Sequence, residues 1–377
     1  MEYDYVFSPT EQGLLSLAEG KRLPFSGGFE LIPYCNLSCK MCYVKDLRPG
    51  LQILSGEQWL EIGRQAVEMG VFGVVLTGGE PMIHPDFKMI YTGLRNMGLI
   101  LQINTNGTMI DEPMADFLAE NMPRRVNISL YGADRDCYGA LCGVPDAFDK
   151  TIRAIELLQE RNVPVKINVT PNTINFPQMP QILALCRKYG LHKEVTPYLF
   201  EPVRRSETER QQYRVSPGQM AAIRGLLASE DVDRDEWMKK KVICYELWEH
   251  FRSSKPEAGL QHITCRAGVS GFWICWDGTM NLCVMMPEPK ADVLREGFAA
   301  AWERVKAYSD TIRVPVRCNT CALRHFCNPC AAVSLHETGD CTKISPYLCQ
   351  TAQEYARMMA NGIVKKERSE AESERNI

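Results

Sequence analysis

The chain has 377 residues, 45% hydrophobic, 24% charged and 9% aromatic, with 43 basic against 46 acidic side chains. That length accommodates one large domain and a smaller one, and a net charge of −3 supplies no bulk field for nucleic acid or an anionic membrane. The opening "MEYDYVFSPTEQ" lacks the basic start and apolar core of a secretory signal, and no apolar run reaches membrane-spanning length, so a cytoplasmic protein is expected.

After an N-terminal extension of residues 1–27, short β-rich runs alternate with helix-period segments from 28 to 200. The runs are "GFELIPY" (28–34), "VFGVVL" (71–76), "LILQIN" (99–104), "VNISL" (126–130), "VPVKINV" (163–169) and "EVTPYL" (194–199). Between the first two, Ser55 followed by Gln58 reads as a capping box and Gly70 as the helix stop. In "DAFDKTIRAIELLQERN" the residues Phe148, Ile152, Ile155 and Leu158 share a helix face. Apolar strands alternating with amphipathic helices predict an α/β fold with a parallel sheet and right-handed crossovers. Six such units make it a partial (β/α)6 barrel.

Residues 201–262 change character, with "EPVRRSETERQQYR" and "ASEDVDRDEWMKKK" predicting an exposed helical linker. From 263 to 352 the chain is rich in cysteine and poor in regular structure, apart from a hairpin at "WICWDGTMNLC" turning on Asp277-Gly278. Residues 353–377 read as a C-terminal helix and a charged tail, "VKKERSEAESERNI", that buries nothing and is expected to be disordered or frayed.

Cysteine is the outlier, with 16 residues. In a reducing compartment, clustered thiols point to metal rather than disulfides. Cys35, Cys39 and Cys42 directly follow the first strand, at the end of the sheet where such architectures place chemistry. A zinc site would be closed by four ligands, and the nearest further donors are His84 and Cys137. A four-iron cluster held by three thiols would leave one iron open. The second strand ends in "LTGGEP", where two glycines permit close backbone approach and Glu80 offers an acceptor for an ammonium group.

With Cys-x3-Cys-x2-Cys followed by GGEP, the sequence resembles the radical S-adenosylmethionine enzymes over about residues 28–200. The resemblance implies that Cys35, Cys39 and Cys42 hold a four-iron, four-sulfur cluster whose open iron binds S-adenosylmethionine, which is cleaved to a 5′-deoxyadenosyl radical. It places Gly78, Gly79, Glu80 and Pro81 at the methionyl amino group, and Ser129 of "NISLYG" at the ribose or carboxylate. Asn106 of "NTNG" and Asn168 fall at strand ends facing the same site. Met41 stands where the family usually has an aromatic residue, with Tyr43 close by.

The later pattern, Cys265-x12-Gly278-x4-Cys283 and Cys318-x2-Cys321-x5-Cys327-x2-Cys330 with Cys341 and Cys349, is similar to the SPASM extension of that family. The resemblance implies two auxiliary four-iron clusters, making three in all. Cys318, Cys321, Cys327 and Cys349 would hold the outer one, and Cys265, Cys283 and Cys330 the inner one. Cys341 competes with Cys349 as the last ligand. The fourth inner position is open to Cys275 or Cys244, or to a substrate. Alone, this cysteine run also fits a zinc ribbon. Cys137, Cys142, Cys186 and Cys244 read as small buried hydrophobes; His84, His192 and His336 read as structural or surface residues, and the aromatics of "GFWICW" as hairpin core.

Enzymes of this subgroup mostly modify peptides or proteins. The implied activity is maturation of a ribosomally made peptide by crosslinking, oxidation or epimerisation, with an electron donor of the flavodoxin or ferredoxin type. Val284 stands where sulfatase-maturing members have an aspartate, which argues against that reaction. With fewer than 30 residues before the first strand, any leader recognition is expected to need a separate binding protein or another surface. The alternatives are a small-molecule or cofactor-biosynthetic enzyme, and a non-catalytic zinc or electron-transfer protein.

Overall fold

The computed structural model describes residues 8–44, 50–200, 212–230, 232–255 and 257–374. The elements run in the order α1 (Pro9–Lys21), β1 (Ser26–Glu30), α2 (Gly56–Glu68), β2 (Gly73–Thr77), α3 (Phe87–Asn96), β3 (Ile100–Thr105), α4 (Glu112–Glu120) and β4 (Arg125–Ser129). Then come α5 (Arg135–Cys142), α6 (Ala147–Glu160), β5 (Val165–Val169), α7 (Met179–Lys188), β6 (His192–Val195), α8 (Pro217–Ser229), α9 (Arg234–Ser253) and β7 (Leu260–His262). The chain closes with β8 (Gly271–Ile274), β9 (Thr279–Asn281), β10 (Ala291–Asp292), α10 (Val293–Glu296), α11 (Phe298–Ser309), β11 (Arg313–Pro315), α12 (Ala331–Thr338) and α13 (Pro346–Glu374). Among the described residues no helix is long and apolar enough to cross a membrane. The charged stretch beginning at residue 201 lies largely outside the described residues.

Two compact units result: Met1–Tyr213 with Thr264–Thr311, and Arg214–Ile263 with Ile312–Ile377. The cysteine-rich segment read from sequence as one piece, 263–352, is divided between them. The first unit holds a nine-stranded sheet in the order β10-β9-β8-β1-β2-β3-β4-β5-β6. Strands β1 to β6 are parallel, as expected of a partial barrel. Beyond the expected six, β8 adds to the free edge of β1 in parallel, with Ser26 opposite Gly271 and Phe29 opposite Ile274. That pairing covers an edge that would otherwise be open. It also explains the unusual Gly27-Gly28 pair inside a strand. A Cβ at Gly28 would stand 2.2 Å from the Trp273 ring. The Asp277-Gly278 hairpin joins β8 to β9, and the Thr279 amide donates to Asp277 Oδ1 at 3.0 Å.

The strands are two-faced rather than apolar throughout. Outward residues such as Leu76, Leu101, Ile103, Val126, Ile128, Ile167 and Val169 are buried under the helices. Trp59, Ile62 and Ala66 of α2 and Ile90, Tyr91 and Leu94 of α3 are buried as well, with α3 packed on β3 and α6 on β5. Inward positions are polar: Gln102, Asn104, Arg125, Asn127, Lys166 and Asn168 line a cavity of about 430 Å³. Helix α2 begins with the expected capping box, Ser55 Oγ accepting from the Gln58 amide and Gln58 from Ser55. Helix α6 is turned from the expected face: Ala147, Thr151, Ala154, Ile155 and Leu158 are buried, whereas Phe148 and Ile152 are half-buried. Phe148 instead packs edge-on against Tyr138, ring centres 5.6 Å apart.

The second unit packs α8, α9 and α13 together and carries the antiparallel β7–β11 ribbon. Its core joins Ala221, Cys244, Tyr355 and Met359, and a second cluster joins Leu323, Ala352 and Ala356 with Leu247, Trp248, Phe251 and Phe326 at its border. The tail expected to be disordered or frayed continues helix α13 to Glu374.

Trp59 is fully buried against Phe29, and its indole N–H has no partner. Trp59→Phe removes that unsatisfied donor at the cost of a small void, so stability should change by less than about 1 kcal/mol. Trp59→Ala should cost about 3–5 kcal/mol. Urea unfolding separates the two, and equal losses would contradict the packing described. In α1, Glu11 forms a two-pronged ion pair with Arg124, whose hydrogen bond lowers the carboxyl from 4.5 to about 2. A lowered folded-state pKa means the pair's contribution is complete above pH 4.5 and is lost as pH falls towards 2. Glu11→Gln should therefore flatten the acid limb of stability against pH in that window; an unchanged limb would contradict it.

Candidate functional site

The three-thiol loop begins where β1 and β2 end, and the ladder between them continues past both strands. Leu31 donates to Thr77 O at 2.8 Å, Gly79 to Ile32 O at 2.7 Å, and Glu80 to Tyr34 O at 2.9 Å. The Gly78-Gly79 pair exists for this approach. Gly78 has φ of 153°, and a Cβ at Gly79 would lie 2.0 Å from the Tyr34 carbonyl oxygen. No side chain fits there. The loop is held on another side by α5, whose Cys142 and Leu141 carbonyls accept from Ser38 (3.0 Å) and Lys40 (2.9 Å). Within the loop, the Cys42 amide donates to Cys39 O at 3.1 Å.

Glu80 is completely buried. Its Oε1 accepts from Thr105 Oγ1 at 2.8 Å and from the Met82 amide at 3.3 Å, and its Oε2 from the Asn106 amide at 2.8 Å. Burial pushes the carboxyl up to about 7, and those three donors oppose the shift. The side chain thus ties the end of β2 to the end of β3. Pro81 opens the short turn that follows. Asn106 carries the tie onward: its Nδ2 donates to Asn36 Oδ1 at 2.9 Å and lies 3.6 Å from Cys35 Sγ, while its Oδ1 accepts from Thr108.

Cys35, Cys39 and Cys42 are all half-buried. Burial raises Cys35 to about 12, and Glu80, Cys39 and Cys42 add to the shift, which places the three thiols and the carboxylate in one electrostatic neighbourhood. Ser129 sits opposite Asn168 in the β4–β5 register, and Asn168 faces the barrel cavity with its Oδ1 unpartnered. Tyr43 packs near Phe200, ring centres 6.1 Å apart. Sequence reasoning missed Tyr131. Burial raises its phenol well above the usual range, the Cys39, Cys142 and Cys35 thiols raise it further, and Ser129 bonds to it. Its place directly after "NISL" was the available signal.

In the second unit, burial raises Cys327 to about 12, with Cys349, Cys318 and Cys321 adding to the shift. Cys318 is raised by burial and then by Cys349 and Cys321. Cys327 and Cys318 thus lie near each other and each near Cys349 and Cys321, and Cys349 Sγ also accepts from Gln353 Nε2 at 3.2 Å. Cys341, raised by burial and by Asp340, feels Cys330 instead. Cys265 and Cys283 lie in the first unit and Cys330 in the second. Cys244 is sealed in apolar packing, and burial raises it to about 11. Cys137, Cys142 and Cys186 are buried as expected; Cys275 is buried too and accepts from Asn281 Nδ2 at 3.2 Å. His84 is structural, bonded to Leu54 O at 3.0 Å and to the Asp86 amide. Among the described residues no three Cys, His, Asp or Glu side chains converge as for one metal ion.

Residues 29–186 match the Radical SAM superfamily. Among curated proteins, the chain is 23% identical over 340 residues to the AdoMet-dependent heme synthase of Methanosarcina barkeri, covering 85% of this chain and 94% of that one. It is 25% identical over 287 residues to the sporulation killing factor maturation protein SkfB of Bacillus subtilis, covering 74% of this chain and 64%, just under two thirds, of SkfB. Among solved structures, Streptococcus suis SuiB bound to its precursor peptide SuiA superposes with a TM-score of 0.65 at 17% identity, covering 92% of this chain and 82% of SuiB. Native anSMEcpe with AdoMet and the Kp18Cys peptide gives 0.66 at 18% identity, covering 91% and 99%. At these identities the structures share the fold.

Gly79→Ala should destabilise the protein by more than about 2 kcal/mol, because backbone must move to admit the Cβ. Gly13→Ala in α1, where a Cβ meets nothing within 4 Å, should be neutral or stabilising by up to about 1 kcal/mol. Thermal unfolding of both variants checks the claim, and a Gly79→Ala as benign as Gly13→Ala would contradict it.

Proposed function

We propose that the chain is a radical S-adenosylmethionine enzyme, with S-adenosylmethionine and a four-iron, four-sulfur cluster as its cofactors, and that it uses them to modify a peptide. Cys35, Cys39 and Cys42 hold the cluster in this reading. The observation that carries it is the three-thiol loop, locked by the GGEP backbone to the end of β2 and by Asn106 to β3. The donor set fits: three sulfur ligands, no fourth in the loop, and an amide beside Cys35 that favours a thiolate over a thiol. When bound, the cluster supplies the electron that cleaves S-adenosylmethionine to a 5′-deoxyadenosyl radical, which takes hydrogen from the substrate.

The chain's own groups orient and shield. Gly78 and Gly79 let the end of β2 lie against the chain that leads into the loop, which fixes where the cofactor would sit. Ser129, Asn168 and Tyr43 surround the same end of the sheet and serve as cofactor contacts. The buried Glu80 fixes the site's walls through Thr105 and Asn106, so its contribution to cofactor binding is through that frame as well as its charge. In the second unit, Cys318, Cys321, Cys327 and Cys349 hold an auxiliary cluster; the sequence resemblance implies one more. An electron donor of the flavodoxin or ferredoxin type feeds the first cluster.

The peptide assignment is supported by the fold shared over nine tenths of the chain with SuiB and anSMEcpe, both solved with peptides, and by the similarity to SkfB. A second reading, a small-molecule enzyme, is favoured by the heme synthase of Methanosarcina barkeri, which the chain matches along nearly its whole length.

Reconstituted protein should carry about twelve irons, three clusters of four, and release 5′-deoxyadenosine on reduction with S-adenosylmethionine. Cys35→Ala should drop the iron to about eight per chain and the nucleoside to background. Mass spectrometry of a co-expressed candidate peptide should show loss of a hydrogen pair for a crosslink. Zinc in place of iron would sink the proposal; turnover with a tetrapyrrole and with no peptide would establish the second reading.

A further inference from the structure

We propose that Asn172 is a positioning residue for the three-thiol loop and acts through the thioether of Met41; the inference rests on that loop being the cluster site. Asn172 and Asn175 lie in the turn after β5, and both are completely buried. Their carboxamides are saturated. Asn172 Oδ1 accepts from the Ile174 and Asn175 amides at 3.0 and 3.1 Å, and Asn175 Oδ1 from the Asn172 amide at 2.8 Å. Asn175 Nδ2 donates to Tyr131 O at 3.2 Å and Thr170 O at 3.1 Å. Asn172 Nδ2 donates to Thr170 O at 3.1 Å and to Met41 Sδ at 3.3 Å.

The pair therefore ties the chain just beyond β4 and β5 to a single side chain of the loop. A fully satisfied buried network of this kind rigidifies what it touches. A thioether is a weak acceptor, and methionine is ordinarily the adaptable filler of a core. Met41 is neither loose nor exposed, at 5% exposure. It stands between Cys39 and Cys42, which are closed into one turn by the Cys42 amide, so a rotation at residue 41 is felt by both thiols. The α5 carbonyls hold Ser38 and Lys40 from the other side. Between these two holds the loop's shape is set by protein groups.

The test is a double-mutant cycle on reconstituted holoenzyme: wild type, Met41→Leu, Asn172→Ala and the double variant. Two readouts are taken, the dissociation constant for S-adenosylmethionine and the change in the electron paramagnetic resonance of the reduced cluster when it is added. Met41→Leu keeps the volume and loses the sulfur, and should weaken binding about three- to tenfold with an altered resonance. Asn172→Ala should do at least as much in wild type and far less in the Met41→Leu background. Additive effects, or variants that change only the melting temperature, would overturn the proposal. Should Asn172→Ala fail to fold, Met41→Leu decides alone, and unchanged binding and resonance overturn it. A wild type without a four-iron cluster overturns the reading beneath it as well, and its iron content tells that failure apart.

Discussion

The site depends on two strands approaching more closely than any side chain allows. The β1–β2 ladder does not stop where the strands do: Gly79 and Glu80 continue it onto Ile32 and Tyr34, and the next residue on the β1 side is Cys35. The thiol loop therefore leaves the sheet from a fixed point, with a fixed direction. Glycine at position 79 is a steric requirement of that geometry, since the carbonyl of Tyr34 occupies the space a Cβ would need.

A buried carboxylate extends this order across the sheet. Glu80 would be costly in an apolar interior without partners, and three donors from its own turn and from β3 offset much of that cost. Asn106, placed by one of those bonds, reaches back to Asn36 and Cys35. The loop, β2 and β3 thus form a closed circuit of hydrogen bonds. Barrel strands with an apolar outer face and a polar inner one suit the same purpose, because they pack firmly under the helices and leave a wettable interior beneath the site.

Much of this was legible in the sequence. The six strands, the Ser55–Gln58 cap and the Asp277-Gly278 hairpin are local signals of period, capping and turn chemistry, and such signals survive folding. The thiol loop and GGEP were legible because their spacing is itself the requirement. What escaped was non-local. Strand β8 is only "GFWI", and it pairs with β1 from the far end of the unit. The cysteine-rich segment is divided between two units, the second built on α13 packing with α8 and α9 and on β7 pairing with β11. The polar inner face hid inside runs read as apolar. Asn172 and Asn175 carry no sequence signal of their own, and only the fold shows their amides reaching Met41 and Tyr131. Met41, read as a departure from a pattern, acquires a role from that contact.

The central claim is that Cys35, Cys39 and Cys42 hold a four-iron cluster with one iron left for S-adenosylmethionine. Mössbauer spectroscopy of protein reconstituted with isotopically enriched iron tests it most directly. The account predicts that adding S-adenosylmethionine changes the coordination of one iron in one cluster, and that Cys42→Ala abolishes the change while the remaining clusters keep their spectra. A spectrum indifferent to S-adenosylmethionine, in protein that retains its full iron, would contradict it.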